Sequence, residues 1–560
     1  MNKKFSKDFI CAATLTAVFA ILVFFRLGNT YAPQSYYTTD SSNRDIVLDF
    51  GDYIDVTSLS VFLGNLNTRH FSLSAFNEVS GAWEVIGDTN AESVFAWNKI
   101  DINYNLRYLG IVCTDDQAVL NEMVAQGPDG SVLLPANYTD YPELFDEQEL
   151  FPDVKTYMSG TMFDEVYHGR TAYEFLHGLT TYETTHPHLG KILISLGVLV
   201  FGMTPFGWRL VPALFGIMII PLMYLFAKKL FKDTYTATAT TALLAFDCMH
   251  YTLSRIATID IFAAFFILLM YYYLYRYIQN DHKYRRANAW AGDRFPPQNV
   301  YIPLALCGIS MALGVATKWT GVYAGLGLAV LFFWHTLSHF PQKQVMRLFG
   351  FCCIFFIVIP LFVYTICFIP VVGYTPYKNL ADKVIQGTVY MFDYHSNLVA
   401  EHYYSSPFYE WPVNWMPLLY ANDAVNATQV SSVSCMGNPV IWWAGIPCVF
   451  YVFFCWIFKK DKKARFLCIA YLAQYVPWMS ISRITFIYHY FPAIIFVMLM
   501  MGYTMMKIKE HFSWGRKAVT TYLVIAILCF FLFFPVVSGL PVDKEWGIKL
   551  RWLKDWILVL

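Results

Sequence analysis

Between residues 208 and 537 one apolar run follows another, each roughly as long as a helix that crosses a bilayer, and this repetition excludes most folds. The runs lie at 208–227, 235–254, 259–279, 301–318, 320–337, 347–369, 438–458, 464–480, 485–506 and 517–537. A further run at 9–27 follows the basic start Met1-Asn2-Lys3-Lys4. It is too long, and too free of a small-residue cleavage site, for a removed signal peptide, so it reads as a signal anchor with a cytoplasmic N-terminus. Lipid offers backbone groups no hydrogen bonds, so such runs must be helices. The expectation is a polytopic α-helical membrane protein. Charged residues are 14% of the chain, with a formal net charge of zero, which argues against a nucleic-acid partner.

Basic clusters mark cytoplasmic loops. Those here are Lys228-Lys229 with Lys232, Lys283 with Arg285-Arg286, Lys343 with Arg347, Lys459 to Lys463 with Arg465, and Lys507, Lys509, Arg516 and Lys517. All fall on one side only if 189–203 lies at the outer surface without crossing, which gives about eleven spans and an external C-terminus. The same alternation gathers Asp164, Glu165, His186, His188, Lys191, Arg209, Arg255, Asp260, Lys318, Arg483 and His489 at the outer face, beside the loop 370–437. Charge within a membrane is costly and usually kept for function. The resulting division is an anchor (1–29), an extracytoplasmic insertion (30–151), a catalytic external loop with juxtamembrane helices (152–207), a membrane core (208–369), an external loop (370–437) and a C-terminal membrane region (438–560).

The insertion changes period. Ile46, Leu48 and Phe50 alternate, as do Phe71 and Leu73, Trp83 and Val85, and Leu109, Ile111 and Cys113, with turn clusters at 64–67 and 87–90 between them. This predicts a small antiparallel β-sandwich. The phrases Val47-Leu48-Asp49-Phe50-Gly51 and Leu59 to Asn65 resemble discoidin-like modules, which implies sugar or surface binding; a spacer is the alternative.

Carboxylates and cations at an outer leaflet suit transfer from a lipid-linked anionic donor. Arg and Lys hold a departing phosphate, while a carboxylate takes the proton of an attacking hydroxyl. The ordered motifs Phe163-Asp164-Glu165-Val166, His186-Pro187 to Gly190-Lys191, Trp208-Arg209-Leu210-Val211, Ser254-Arg255 with Ile259-Asp260, and Thr317-Lys318-Trp319 resemble the protein O-mannosyltransferases, a GT-C family (glycosyltransferase family 39). Gln386 to Met391, Tyr394 to Leu398, His402 to Pro407, Trp411-Pro412 and Gly437-Asn438-Pro439 extend the similarity to the C-terminus.

The resemblance implies a GT-C fold and inverting transfer of mannose from a polyprenyl-phosphate donor to Ser or Thr of exported proteins. Asp164 matches the base, and Glu165 of the same motif is expected to position acceptor or base. Arg209, Arg255 and Lys318 are expected around the donor phosphate. His186, Lys191, Asp260, Trp319, Gln386, His395 and His402 are further substrate-site candidates. Absence of the large luminal module of eukaryotic members points to a bacterial-type enzyme of the plasma membrane. His188 stands where the family has a second proline. A divalent metal at His186 and His188 is unsupported, because i, i+2 spacing across a proline is a poor ligand arrangement, and no cofactor is assigned. Transfer to a lipid or wall polymer, and membrane transport, are the competing functions. Cys113 and Cys435 are the candidate external cysteine pair, and residues 544–560, with three tryptophans, read as an amphipathic segment at the outer interface.

Overall fold

The computed structural model describes residues 3–64, 69–115, 117–287, 297–339 and 342–560; the turn expected at 64–67 falls mostly outside them. Seventeen α-helices are assigned: α1 (Lys3–Phe24), α2 (Glu165–His177), α3 (Leu189–Phe201), α4 (Pro205–Phe231), α5 (Thr234–Ala245), α6 (Cys248–Leu253), α7 (Asp260–Ala287), α8 (Gln298–Thr317), α9 (Thr320–His339), α10 (Gln342–Cys353), α11 (Ile359–Ile366), α12 (Leu380–Asn397), α13 (Pro439–Ile457), α14 (Lys462–Tyr475), α15 (Phe491–His511), α16 (Gly515–Ser538) and α17 (Lys544–Lys549). A π-helical stretch at Ile354–Val358 joins α10 to α11. Among the described residues nine helical segments are long and apolar enough to cross a membrane.

The two other expected spans are interrupted helices. α5 and α6 break at Phe246–Asp247, yet together they match the height of α1: Thr234 donates to Asp8 (2.7 Å) at one end and Arg255 to Val23 O (3.2 Å) at the other. A break inside an apolar bundle frees backbone groups that must find partners. Asn438 supplies one, its Nδ2 donating to Phe246 O and Ala526 O (2.9 Å each), while Asp247 caps His250 N (3.1 Å) and accepts from Asn438 N (3.0 Å) and Trp442 Nε1 (2.9 Å). This is the local reason for the Gly437-Asn438-Pro439 motif. α14 stops at Tyr475 and continues as a 3₁₀ turn, Val476–Ser480.

α3 has 13 residues, about 20 Å at 1.5 Å per residue, too short to cross. It lies close against α4 because Gly197 leaves room: a Cβ there would sit 2.3 Å from Gly207 O.

The insertion is one seven-stranded antiparallel sheet, a correction to the two-sheet sandwich. Its strands are β1 (Tyr37–Thr38), β2 (Asp45–Leu63), β3 (Arg69–Asn77), β4 (Ala82–Ala91), β5 (Ala96–Cys113), β6 (Val119–Gln126) and β7 (Val132–Leu133), in the order β1-β6-β2-β5-β3-β4 with β7 on β6. β2 and β5 run through both halves of the sheet, and register shifts between Asp49/Ile54 and Val56/Ser58 break their pairing in the middle. Bulges of this kind bend and twist strands, so both halves feed one core of Leu48, Val61, Leu109 and Met123. Cys113 belongs to that core and Cys435 packs with the membrane bundle; both are free cysteines, and no disulfide joins them.

Residues 370–437 form α12 and a hairpin, β8 (Leu418–Ala424) and β9 (Gln429–Cys435), which β10 (Pro541–Asp543) completes as a third strand. Residues beyond 543, expected as an amphipathic interfacial segment, fold back onto the bundle. Only α17 is helical, and the tail is buried through Trp556, Leu558 and Val559. Trp556 Nε1 donates to Asn414 O (2.7 Å), so burial of a polar-edged ring with its partner satisfied replaces an interfacial position.

Candidate active site

Phe163, at φ +47°, occupies the left-handed region that costs a bulky residue energy and persists only when the surroundings hold it. Its ring stacks on Tyr420 at 4.7 Å between centroids. The kink delivers Asp164 to the start of α2, where its side chain makes no cap hydrogen bond and instead lines a cavity of about 720 Å³. Burial, reinforced by Asp260 and opposed by Lys318, raises the Asp164 carboxyl to about 7.

Glu165 is placed quite differently. It is fully buried and pairs with Arg209 through two bonds, Nε to Oε1 (2.7 Å) and Nη2 to Oε2 (2.6 Å), while accepting Ala257 N and Met162 N (3.0 Å each). It lines neither cavity and, through these bonds, fixes the turn that carries Asp164.

Arg209 and Arg255, expected around the donor phosphate, line neither cavity. Arg209 also donates to Leu27 O (3.0 Å), Tyr157 O (2.9 Å) and Gly160 O (2.9 Å). A guanidinium has five N–H groups, and all five are used. Arg255 donates to Val23, Phe25, Arg26 and Ser538 carbonyls, neutralising the exposed carbonyl ends of α1 and α16.

Lys318 follows α8, pairs with Asp260 (Nζ to Oδ1, 2.7 Å) and lines a second cavity of about 440 Å³ with Trp319, His395 and Arg483. Arg483, absent from the expected site set, is half-buried and makes no ion pair among the described residues. Position at the outer face was its only sequence signal.

His186 borders both cavities. Its Nδ1 lies 3.0 Å from Glu183 Oε1, and its ring is 4.9 Å from His395, whose Nε2 donates to Thr185 O (2.8 Å). Lys191 is wholly buried; it holds the Glu183 carboxylate and donates to Glu183 O and His186 O (2.9 Å each). Burial works against ionised Glu183, but Lys191 and then His186 hold its carboxyl well below the usual range. Burial lowers His395 to about 4 and also lowers His186. Lys191 therefore braces the loop, and Glu183, missed in the sequence, is the centre of that brace. His188 turns away, its ring edge-on to Phe368 at 4.6 Å, so it shares no ligand geometry with His186.

Gln386 lines the Asp164 cavity and donates to Asp382 Oδ1 (2.7 Å), beside Tyr390 and Tyr394 of α12. His402 lines neither cavity; it is exposed and packs edge-on against Phe486 at 5.1 Å. Among the described residues the carboxylate and histidine grouping compact enough for a metal is Glu122, Asp146 and Glu147, in the insertion and outside this site.

The two cavities thus differ in charge. One is lined by Lys318 and Arg483 without a carboxylate, the other by Asp164 and Glu183 without Lys or Arg. An anion fits the first, and a neutral hydroxyl whose proton must be removed fits the second.

Residues 199–372 match the sequence model described as dolichyl-phosphate-mannose-protein mannosyltransferase, and residues 380–556 match that of the C-terminal four-helix membrane region of protein O-mannosyltransferase. Neither model reaches the β-insertion. A polyprenol-phosphate-mannose–protein mannosyltransferase of Mycobacterium tuberculosis is 24% identical over 462 residues, 70% of this chain and 86% of that one. Dolichyl-phosphate-mannose–protein mannosyltransferase 1 of Saccharomyces cerevisiae is 26% identical over 208 residues, 33% of this chain and 25% of the yeast chain. In fold, the chain resembles the S. cerevisiae protein O-mannosyltransferase Pmt1–Pmt2 complex bound to the sugar donor, with a TM-score of 0.60 at 15% identity over 71% of this chain and 89% of that one. The two matched regions together take in most of the membrane bundle and its outer roof, and on that ground the chain belongs to the protein O-mannosyltransferase family.

Proposed function

We propose that this enzyme transfers mannose from a polyprenyl-phosphate donor to Ser or Thr hydroxyls of exported proteins at the outer face of the plasma membrane, with inversion. The observation that carries this reading is the meeting of a cationic and an acidic cavity at His186. Lys318 and Arg483 would hold the phosphate and stabilise its charge as the glycosidic bond breaks. An acceptor hydroxyl entering beside Asp164 loses its proton to that carboxylate while its oxygen attacks the anomeric carbon opposite the phosphate.

The donor chain has a matching path. Below the cationic cavity, α9 continues along an apolar groove of about 370 Å³ lined by Leu274, Met311, Val322, Gly325, Phe332 and Phe356. An isoprenoid fits such a surface because it asks for no hydrogen bonds.

The experiment is transfer by the purified enzyme from polyprenyl-phosphate-mannose to Ser/Thr peptides. Mannosylated peptide with inverted anomeric configuration is expected. Transfer to lipid or polymer acceptors alone would overturn the protein-acceptor assignment.

A further inference from the structure

The helices that build the catalytic end also build a second site at the opposite end of the bundle. α7 starts at Asp260 beside Lys318 and reaches Tyr275 and His282; α9 starts beside the cationic cavity and reaches Trp334 and His335; α14 starts at Lys462 and runs back toward Trp478, a lining residue of that cavity. Their far ends enclose a cavity of about 330 Å³.

Its lining brings together Lys462, Lys463 and Arg465 and includes no carboxylate. None of the three makes an ion pair among the described residues. The carboxylates flanking them are already engaged. Asp281 holds Arg285 (2.9 Å) and His335 (2.8 Å), and Asp461 caps Lys463 N and Ala464 N while accepting Tyr503 Oη (3.0 Å). The Arg465 guanidinium lies over Trp334, 4.3 Å from the ring centroid. That contact orients the fork without consuming its N–H groups.

The remaining wall is apolar, from Ile278, Leu331 and Phe466. A soluble anion would use the cations and leave this wall against water. A phospholipid uses both: its phosphate meets the cations and its glycerol and upper acyl carbons meet the wall. The site also sits at the end of bilayer-length helices, where headgroups are found. We propose that this cavity binds the headgroup of an anionic phospholipid, joining α7, α9 and α14 at the end remote from catalysis.

The test is lipid retention by the full-length enzyme, read by native mass spectrometry after titration with phosphatidylglycerol or phosphatidylcholine, and with inorganic phosphate as a separate arm. One basic side chain contributes roughly 5-fold to anionic-lipid affinity near a membrane surface. The triple variant Lys462→Gln, Lys463→Gln, Arg465→Gln should therefore retain phosphatidylglycerol roughly 100-fold less tightly, with phosphatidylcholine unchanged. Arg465→Gln alone should lose about 5-fold, and serves if the triple variant does not fold. Lys459→Gln, outside the cavity, should bind as the parent does. Equal retention of the two lipids, unaltered binding by Arg465→Gln, or displacement of phosphatidylglycerol by equimolar inorganic phosphate would each overturn the proposal.

Discussion

Replacing Arg209 by Lys separates a structural arginine from a donor-binding one. Five protein acceptors surround the guanidinium: both Glu165 oxygens and the carbonyls of Leu27, Tyr157 and Gly160. An ammonium has three N–H groups, so at least two of these five bonds are lost. Each hydrogen bond to a charged group contributes about 1.5–3 kcal/mol, giving a loss of about 3–6 kcal/mol. Against total stabilities of about 5–15 kcal/mol this is severe. Thermal unfolding of the detergent-purified variant should shift sharply downward. In the surviving folded fraction, the KM for polyprenyl-phosphate-mannose should stay within about twofold, and any lost turnover should appear in kcat, because Glu165 sets the turn that carries Asp164. A variant as stable as the parent whose donor KM rises more than about tenfold, roughly 1.4 kcal/mol, would refute the reasoning.

Asp164→Asn should lower kcat by about 100-fold or more while leaving donor affinity near the parent's, measured by single-turnover transfer and donor binding. Because Asp164 titrates near 7, kcat/KM should rise with pH to about 7 and level off above it, and a pH–rate profile checks this. The stability consequence has the opposite sign. The folded carboxyl is raised above its unfolded value, so stability falls as pH rises from about 4 to about 7, and Asp164→Asn should unfold at higher temperature than the parent at pH 8. Arg483→Gln should raise donor KM about tenfold without altering the unfolding temperature, since no ion pair among the described residues is lost; an unchanged KM would remove it from the phosphate site. Gly325→Leu should weaken a long-chain donor but not a short-chain analogue in the same assay, because it fills the groove below the phosphate.

Much of this site is legible where chemistry and position coincide. Asp164, Lys318, Trp319, His186, Gln386 and His395 all line one of the two cavities. The motif arginines mark a limit of sequence reading: a cation at a span end looks the same in sequence whether it faces a ligand or the orphan carbonyls of neighbouring helices. For Arg255 those carbonyls come from residues more than two hundred positions away or close to the C-terminus, and no local pattern announces them. Glu183 sits three residues before His186 and eight before Lys191, a spacing that suggests an ion pair only once the loop is known to fold back on itself. The helical path was readable from hydrophobic runs and basic clusters, whereas the break at Asp247 was hidden because its capping partner, Asn438, is remote. In the insertion, period-two alternation revealed strands; it carries no information on whether two long strands bend through both halves of one sheet.

The entry and exit of that insertion meet at a single point. Asn29 N donates to Met158 O (2.9 Å), and Leu27 O and Tyr157 O share the same nitrogen of Arg209. The sheet is therefore a cassette closed at its base, with the membrane chain continuing across a gap that a few residues bridge. Contacts such as Thr161 Oγ1 to Val94 O (3.1 Å) and Phe95 against Tyr173 (5.2 Å) decide how far it can be exchanged. Closure at the base means that the sheet could be excised or exchanged without rethreading a single transmembrane helix.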